Sequence, residues 1–201
     1  MPFPHSCGIS VGNFADVPGD TISLYYATRD GQARRIADTI FRRLAETATL
    51  PAPRDLARTP PRAQELAEAS LIVLVAAVRY GRHLPEADRF LAAYRALPAP
   101  PPLALASVNL SARKPGKTDR NGNPYLRKLI ARHRLAPVLA VAFAGRLDYP
   151  RYRWLDRQII RFIMLLTGGP TDPDTSIEYT SWSAVDEFAA RIAGLRVRHD
   201  A

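Results

Sequence analysis

Positions 71–78 read LIVLVAAV, without one polar side chain. An unbroken apolar run this short suits a β-strand covered on both faces, the condition met inside a parallel sheet flanked by helices. Runs 103–108 and 138–143 have the same character, and TISLYY at 21–26 is a further β-prone segment. Helical stripes lie between them. Ala33, Ile36, Ala37, Ile40, Phe41 and Leu44 fall on one helix face. Ala87, Phe90, Leu91 and Tyr94 make a second stripe, opened by Pro85. Tyr125, Leu126, Leu129, Ile130 and His133 make a third. Val185, Phe188, Ala189 and Ile192 make the last, with Ser183 and Asp186 in capping-box spacing. The remaining strand is poorly marked and is placed near 49–56, where Pro51 and Pro53 suit a sheet edge. The alternation predicts an α/β fold, a doubly wound five-stranded parallel sheet with helices on both faces. Such sheets bind ligands at the carboxyl ends of their strands. The segments to read for function are therefore 27–33, 77–84, 109–123 and 146–180.

Several classes fall away on composition. One cysteine, Cys7, excludes a disulfide scaffold and a cysteine-based metal site, and the four histidines have no ligand spacing. No run approaches the length of about 20 apolar residues that spans a bilayer. Residues 1–20 show neither a basic segment nor an apolar core, so they read as a loose extension rather than a secretory signal, with one domain over 21–197 and a cytoplasmic location expected. The net charge is +9. Thirteen Lys or Arg between 113 and 161 face only Asp119, Asp148 and Asp156, so one segment carries the excess. Such a local excess points to an anionic partner: nucleic acid, an acidic membrane surface or a polyanionic substrate.

The first loop, Ala27-Thr28-Arg29-Asp30-Gly31-Gln32-Ala33, joins a strand to a helix N-terminus. There the backbone N–H groups and the helix dipole favour an anion. Thr28 supplies a hydroxyl, Arg29 a guanidinium, and Gly31 permits close backbone approach. A plain turn capped by Asp30 or Gln32 is the equal alternative. Gly116-Lys117-Thr118 lacks the earlier glycine of a triphosphate loop, because position 111 is Ser.

Leu24-Tyr25-Tyr26-Ala27-Thr28, then Gly31, then Ala37 resembles the flavodoxin signature, in which this loop wraps the phosphate of FMN; Ala33 stands where a threonine usually closes it. The resemblance narrows over Thr28-Arg29-Asp30-Gly31-Gln32, Val78-Arg79-Tyr80-Gly81, Ser107-Val108-Asn109-Leu110, Ala112-Arg113-Lys114-Pro115 and Tyr149-Pro150-Arg151-Tyr152-Arg153-Trp154. Together, in this order, they resemble the flavodoxin-type, menaquinone-dependent protoporphyrinogen IX dehydrogenases of haem biosynthesis, over roughly residues 21–195. The resemblance implies a strand order 2-1-3-4-5 and a long helical insertion at 146–180 before the last helix. It implies FMN, a quinone acceptor such as menaquinone, and peripheral attachment to the inner face of the cell membrane. On that arrangement Thr28 to Ala33 hold the phosphate and Val78 to Gly81 flank the isoalloxazine ring. Tyr80 stacks on the ring, and Arg79 faces negative charge on the reduced form. Ser107 to Leu110, Asn109 foremost, reach its pyrimidine edge; an Asn109 that only caps the strand-to-loop turn is the near-equal alternative. The chemistry belongs to the flavin N5. No side chain is assigned as base, with Arg79, Tyr80 and His83 the candidates and His83 read as a surface or capping residue.

The insertion reads as a helix over about 151–167, ended by Gly168-Gly169-Pro170. Arg153, Arg157 and Arg161 form a basic stripe beside Trp154, Leu155, Ile159, Phe162, Ile163 and Leu166. That pattern suits a helix in a membrane interface; a helix packing its apolar face on the domain is the equal alternative. Protoporphyrinogen IX carries two propionates, and guanidinium groups pair with carboxylates in bidentate geometry. Arg113, Arg151 and Arg153 are the candidates for that pairing. A homo-oligomer is compatible with the sequence. The competing readings are an FMN electron carrier, an NAD(P)H:quinone reductase, and a nucleic-acid binder on the basic segment. The strong basicity opposes the carrier. The lack of aromatic–basic interleaving on strands opposes nucleic acid.

Overall fold

The computed structural model describes residues 21–47, 49–152, 154–166 and 168–197. The 1–20 leader and Arg153 lie outside the described residues. The strands are β1 (Ile22–Ala27), β2 (Arg54–Asp55), β3 (Leu71–Arg79), β4 (Arg82–His83), β5 (Leu103–Val108), β6 (Leu139–Phe143), β7 (Arg146–Asp148) and β8 (Ser176–Glu178). The main sheet is parallel in the order β2-β1-β3-β5-β6, the expected 2-1-3-4-5 once the short hairpin strand β4 is set aside. β2 is two residues long and pairs only with β1, at the edge where the prolines pointed.

The helices are α1 (Gln32–Ala45), α2 (Ala63–Ala67), α3 (Pro85–Arg95), α4 (Pro124–Arg132), α5 (Trp154–Leu166) and α6 (Trp182–Val197). Strand parity splits the apolar runs between two cores. Ile72, Leu74 and Leu105 face Phe90, Leu91, Leu126 and Leu129 of α3 and α4. Val73, Val75 and Ala106 face Ile36, Ile40, Phe188 and Ile192 of α1 and α6. This is why the strands carry no polar face.

The start of α6 differs from expectation. Ser181, not Ser183, accepts the capping hydrogen bond, from the Ala184 N–H at 3.3 Å. Asp186 instead takes both Nε (2.8 Å) and Nη2 (3.1 Å) of Arg43, joining α6 to α1. Neighbouring helices compete for a carboxylate that local spacing assigns to a cap.

The insertion is a small unit of its own. β7 and β8 pair antiparallel, and Leu147, Tyr149, Tyr152 and Met164 form a third apolar cluster. α5 departs from the ordinary amphipathic rule. Its half-buried positions include Asp156, Arg157, Ile160 and Arg161, and Met164 is buried. Leu155 (66% exposed), Phe162 (61%), Leu165 (67%) and Leu166 (70%) face outward. Packing of its main apolar face on the domain is thereby excluded. The basic stripe is also corrected: Arg157 is turned inward, donating through Nε to the Tyr149 carbonyl at 3.1 Å.

Candidate active site

β1, β3, β5 and β6 end on one side of the sheet, and their following loops enclose a cleft of about 970 Å³. That size lies at the upper end of small-molecule sites, about 300–1,000 Å³. Of the residues expected there, Thr28 to Ala33, Val78 to Gly81, Val108, Asn109, Leu110, Arg113 and Arg151 line it. Ser107, His83, Trp154, Arg157 and Arg161 are not in its wall.

The first loop is shaped by Gly31, whose φ of +87° is a left-handed conformation that a Cβ disfavours. Its N–H donates to Thr28 Oγ1 at 3.0 Å, which leaves the Thr28 hydroxyl hydrogen for another acceptor. The first i→i−4 bond of α1 runs from Arg35 N–H to Gly31 O at 3.0 Å. The N–H groups of residues 32–34 therefore precede the helical ladder. No acidic side chain occupies the first turn, and neither Asp30 nor Gln32 caps it. Gln32 is instead a strut. Its Nε2 donates to Glu178 Oε1 and Thr180 Oγ1, each at 2.9 Å, and Thr180 Oγ1 donates to the Ala144 carbonyl at 2.7 Å. Burial opposes ionisation of Glu178, but hydrogen bonds from Arg35 and Gln32 hold its carboxyl below the usual range. Ala33 keeps its side chain in the core beside Ile36.

The second loop is a two-residue hairpin between β3 and β4. Tyr80 (φ +49°) and Gly81 (φ +77°) both occupy left-handed backbone, as a type I′ connection demands. For tyrosine that conformation costs about 1–2 kcal/mol. Strain of this kind concentrates at functional sites. The turn leaves the Tyr80 ring half exposed, with the Arg79 guanidinium 5.1 Å from its centroid. Arg79 is the hub of the site. It bonds Asp30 of the first loop and, at 2.7 Å, Asp156 of α5. Tyr80 also donates its hydroxyl to Asp156. The Tyr152 ring centroid also lies near Arg79, 5.5 Å from the guanidinium. Burial raises the Tyr152 phenol above its ordinary pKa of 10, so it stays protonated.

Behind the third loop is a buried polar network. Asn109 and Asn123 exchange amide hydrogen bonds of 3.3 and 3.1 Å. Ser111 donates to Asn109 Oδ1 at 2.6 Å, and Asn123 Oδ1 caps α4. Asn109 Nδ2 also donates to Ser107 Oγ at 3.0 Å, and His83 Nε2 lies 2.9 Å from the same oxygen. His83 is thus corrected: it is a buried residue, not a surface one. Burial pushes its pKa down to about 4. It is a neutral hydrogen-bonding group that braces Ser107 from below. Arg113 donates to the Leu110 carbonyl at 2.9 Å and so steadies the loop whose cleft it lines.

Sequence reasoning missed Asn123, Asp156 and the hairpin itself. Asp156 had a signal, as one of three carboxylates in the basic segment. Asn123 had only its position before Pro124, a helix-start pattern.

The chain matches the model of the flavodoxin domain family over residues 23–174. It is 37% identical over 173 residues to a protoporphyrinogen IX dehydrogenase (quinone) of Leishmania major, a match covering 86% of this chain and 74% of that one. It is 36% identical over 172 residues to the protein of the same name from Escherichia coli K12, covering 86% and 94%. Among solved structures, oxidised flavodoxin 1 from Bacillus cereus superposes with a TM-score of 0.51 at 15% identity, covering 90% of this chain and 99% of that one. Rubredoxin oxygen:oxidoreductase from Desulfovibrio gigas gives 0.54 at 12% identity, covering 90% and 37%. At those identities the two structures speak for the fold.

Proposed function

The chain belongs to the flavodoxin-like protoporphyrinogen IX dehydrogenase (quinone) family of oxidoreductases, and from that premise we propose that it uses FMN to oxidise protoporphyrinogen IX to protoporphyrin IX, passing the electrons to menaquinone or another quinone at a membrane surface. The residues present fit FMN. Thr28 and the N–H groups of residues 32–34 supply donors for a phosphate at the start of α1, where no carboxylate opposes it. Arg34 lines the same wall. Val78 to Gly81 and Val108 to Leu110 supply the two walls beyond it. Bound there, FMN supplies a two-electron acceptor, so the porphyrinogen gives up its electrons in successive pairs.

The protein's part is binding and charge. Asp30 and Asp156 hold Arg79 between them, which fixes the guanidinium in the wall of the cleft and balances its charge. Tyr152 and Tyr80 flank that guanidinium and keep it partly dry. Asn109, its amide engaged by Ser107, Ser111 and Asn123, fixes the backbone of the third loop at the cleft.

The observation that carries the membrane part is the outward apolar face of α5. Among the described residues no helix is long and apolar enough to cross a membrane. A helix lying in the interface needs only one apolar face. Because Asp156 bonds Arg79 and Tyr80, such a helix holds the cleft at the lipid boundary, where apolar quinones and porphyrinogens partition.

The test is anaerobic. Protein reconstituted with FMN receives protoporphyrinogen IX and a menaquinone analogue, and porphyrin fluorescence is followed. We expect fluorescence that rises only when flavin and quinone are both present. Flavin binding without any rise, or a requirement for NAD(P)H, overturns the reading.

A further inference from the structure

A second cavity of about 770 Å³ adjoins the first. Arg29, Arg79 and Tyr80 line both. Beyond that shared wall the second cavity is built from other parts of the chain: Arg82, then Leu84 at the start of α3, then Trp154 and Leu155 of α5. Its surface divides chemically. Trp154, Leu155, Leu84 and Pro85 are apolar. Among the described residues the cations are Arg29, Arg79 and Arg82, and the one carboxylate is Asp156. Arg79 is taken up by Asp30 and Asp156. Among the described residues, Arg29 and Arg82 have no carboxylate within ion-pair distance. His83, kept neutral by burial, adds no charge.

Two unpaired guanidiniums beside an aromatic and aliphatic wall suit an amphiphile with two acidic arms. A quinone offers no carboxylate to them. We propose that this second cavity receives the porphyrinogen, with its propionates on Arg29 and Arg82, its apolar ring edge against Trp154 and Leu155, and its body toward the Arg79–Tyr80 junction with the first cleft. The assignment rests on the function proposed above. It moves the carboxylate-pairing role from Arg113 and Arg151, which line only the first cleft, to the cations at the junction and beyond it. It also accounts for the strained Tyr80, which stands where the two cavities meet.

Binding is read with protoporphyrin IX, the stable oxidised ring, titrated by fluorescence anisotropy into FMN-loaded protein. Arg82→Gln should weaken binding about tenfold or more, the worth of a charged hydrogen-bonded pair. The dimethyl ester, which lacks the charges, should bind wild type and Arg82→Gln equally. Trp154→Ala should weaken acid and ester alike. FMN retention and quinone KM should not move with Arg82→Gln. Active wild-type protein whose porphyrin affinity is the same in Arg82→Gln overturns the site and leaves the function standing. A shift in quinone KM with unchanged porphyrin affinity also overturns it and gives the cavity to the quinone. Wild-type protein that neither binds nor oxidises the tetrapyrrole overturns the function, and the site with it.

Discussion

α1 and α5 are both amphipathic, yet they use their apolar faces in opposite ways. Ile36 and Ile40 of α1 are completely buried against β1, β3 and α6. Phe162, Leu165 and Leu166 of α5 point away from the domain, while Arg157 is turned inward. Apolar area removed from water stabilises whatever removes it, at about 25 cal/mol per Å². In α1 that is the fold. In α5 the folded chain leaves most of it uncovered, so the stabilisation is available to another surface. A stripe in the sequence therefore states how much area must be covered, not what covers it.

Single truncations should break the symmetry most sharply. Ile36→Ala should cost about 2–5 kcal/mol in denaturant unfolding, through lost transfer energy and a cavity. Leu155→Ala or Phe162→Ala should stay within about 0.5 kcal/mol, as expected of an exposed site. Equal losses in the two helices would mean that α5 packs its apolar face after all.

Vesicle binding should give the reverse result. Phe162→Ser, Leu165→Ser and Leu166→Ser combined should lower affinity for anionic vesicles about 1,000-fold or more, since each fully buried side chain of this type contributes about 1.5–3 kcal/mol. Arg157→Gln should lower it no more than about fivefold, the worth of roughly 1 kcal/mol per basic residue near such a surface. Sedimentation with vesicles over a salt series separates the two contributions. Binding abolished by salt alone would give the lead to charge.

Acid should weaken the packed part of the molecule. The His83 pKa is depressed to about 4 from an unfolded value of 6.5, so the unfolded chain binds the proton better. Its contribution to stability is full above about pH 6.5 and is lost as pH falls toward 4, up to about 3 kcal/mol. Asp88 opposes this depression, whereas Arg132 and His133 add to it. His83→Gln should flatten unfolding free energy over that window, measured by denaturant titration at successive pH values. An unchanged slope would place the acid sensitivity elsewhere.

The smallest effect concerns the contact between the two regions. Asp156→Asn removes the carboxylate that binds Arg79 and Tyr80, while Asp30 stays on Arg79. We expect about 1 kcal/mol of lost stability, the size of one partly exposed polar contact, and faster amide exchange along α5. Exchange unchanged in α5 would show that the apolar cluster around Met164 and the Tyr149–Arg157 bond hold the helix without it.

Much of the fold was legible because its rules are local. Runs 71–78 and 103–108 must be covered on both faces, so they could only be central strands, and the stripe from Ala33 to Leu44 could only close over them. The first loop was legible for the same reason: a strand end, Gly31 and a helix start are consecutive in the chain. The partnerships between distant residues were not. Gln32 meets Glu178, Arg43 meets Asp186, Arg79 meets Asp156 and His83 meets Ser107, pairs that no spacing rule connects. The sequence alone determined a doubly wound sheet with its ligand loops on one side, because periodicity and apolar runs act along the chain. Only the tertiary structure decided that His83 is buried and neutral, that Arg157 turns inward, and that the apolar face of α5 stays in solvent. Burial and charge pairing depend on which surfaces the folded chain brings together, and those surfaces come from segments far apart in sequence.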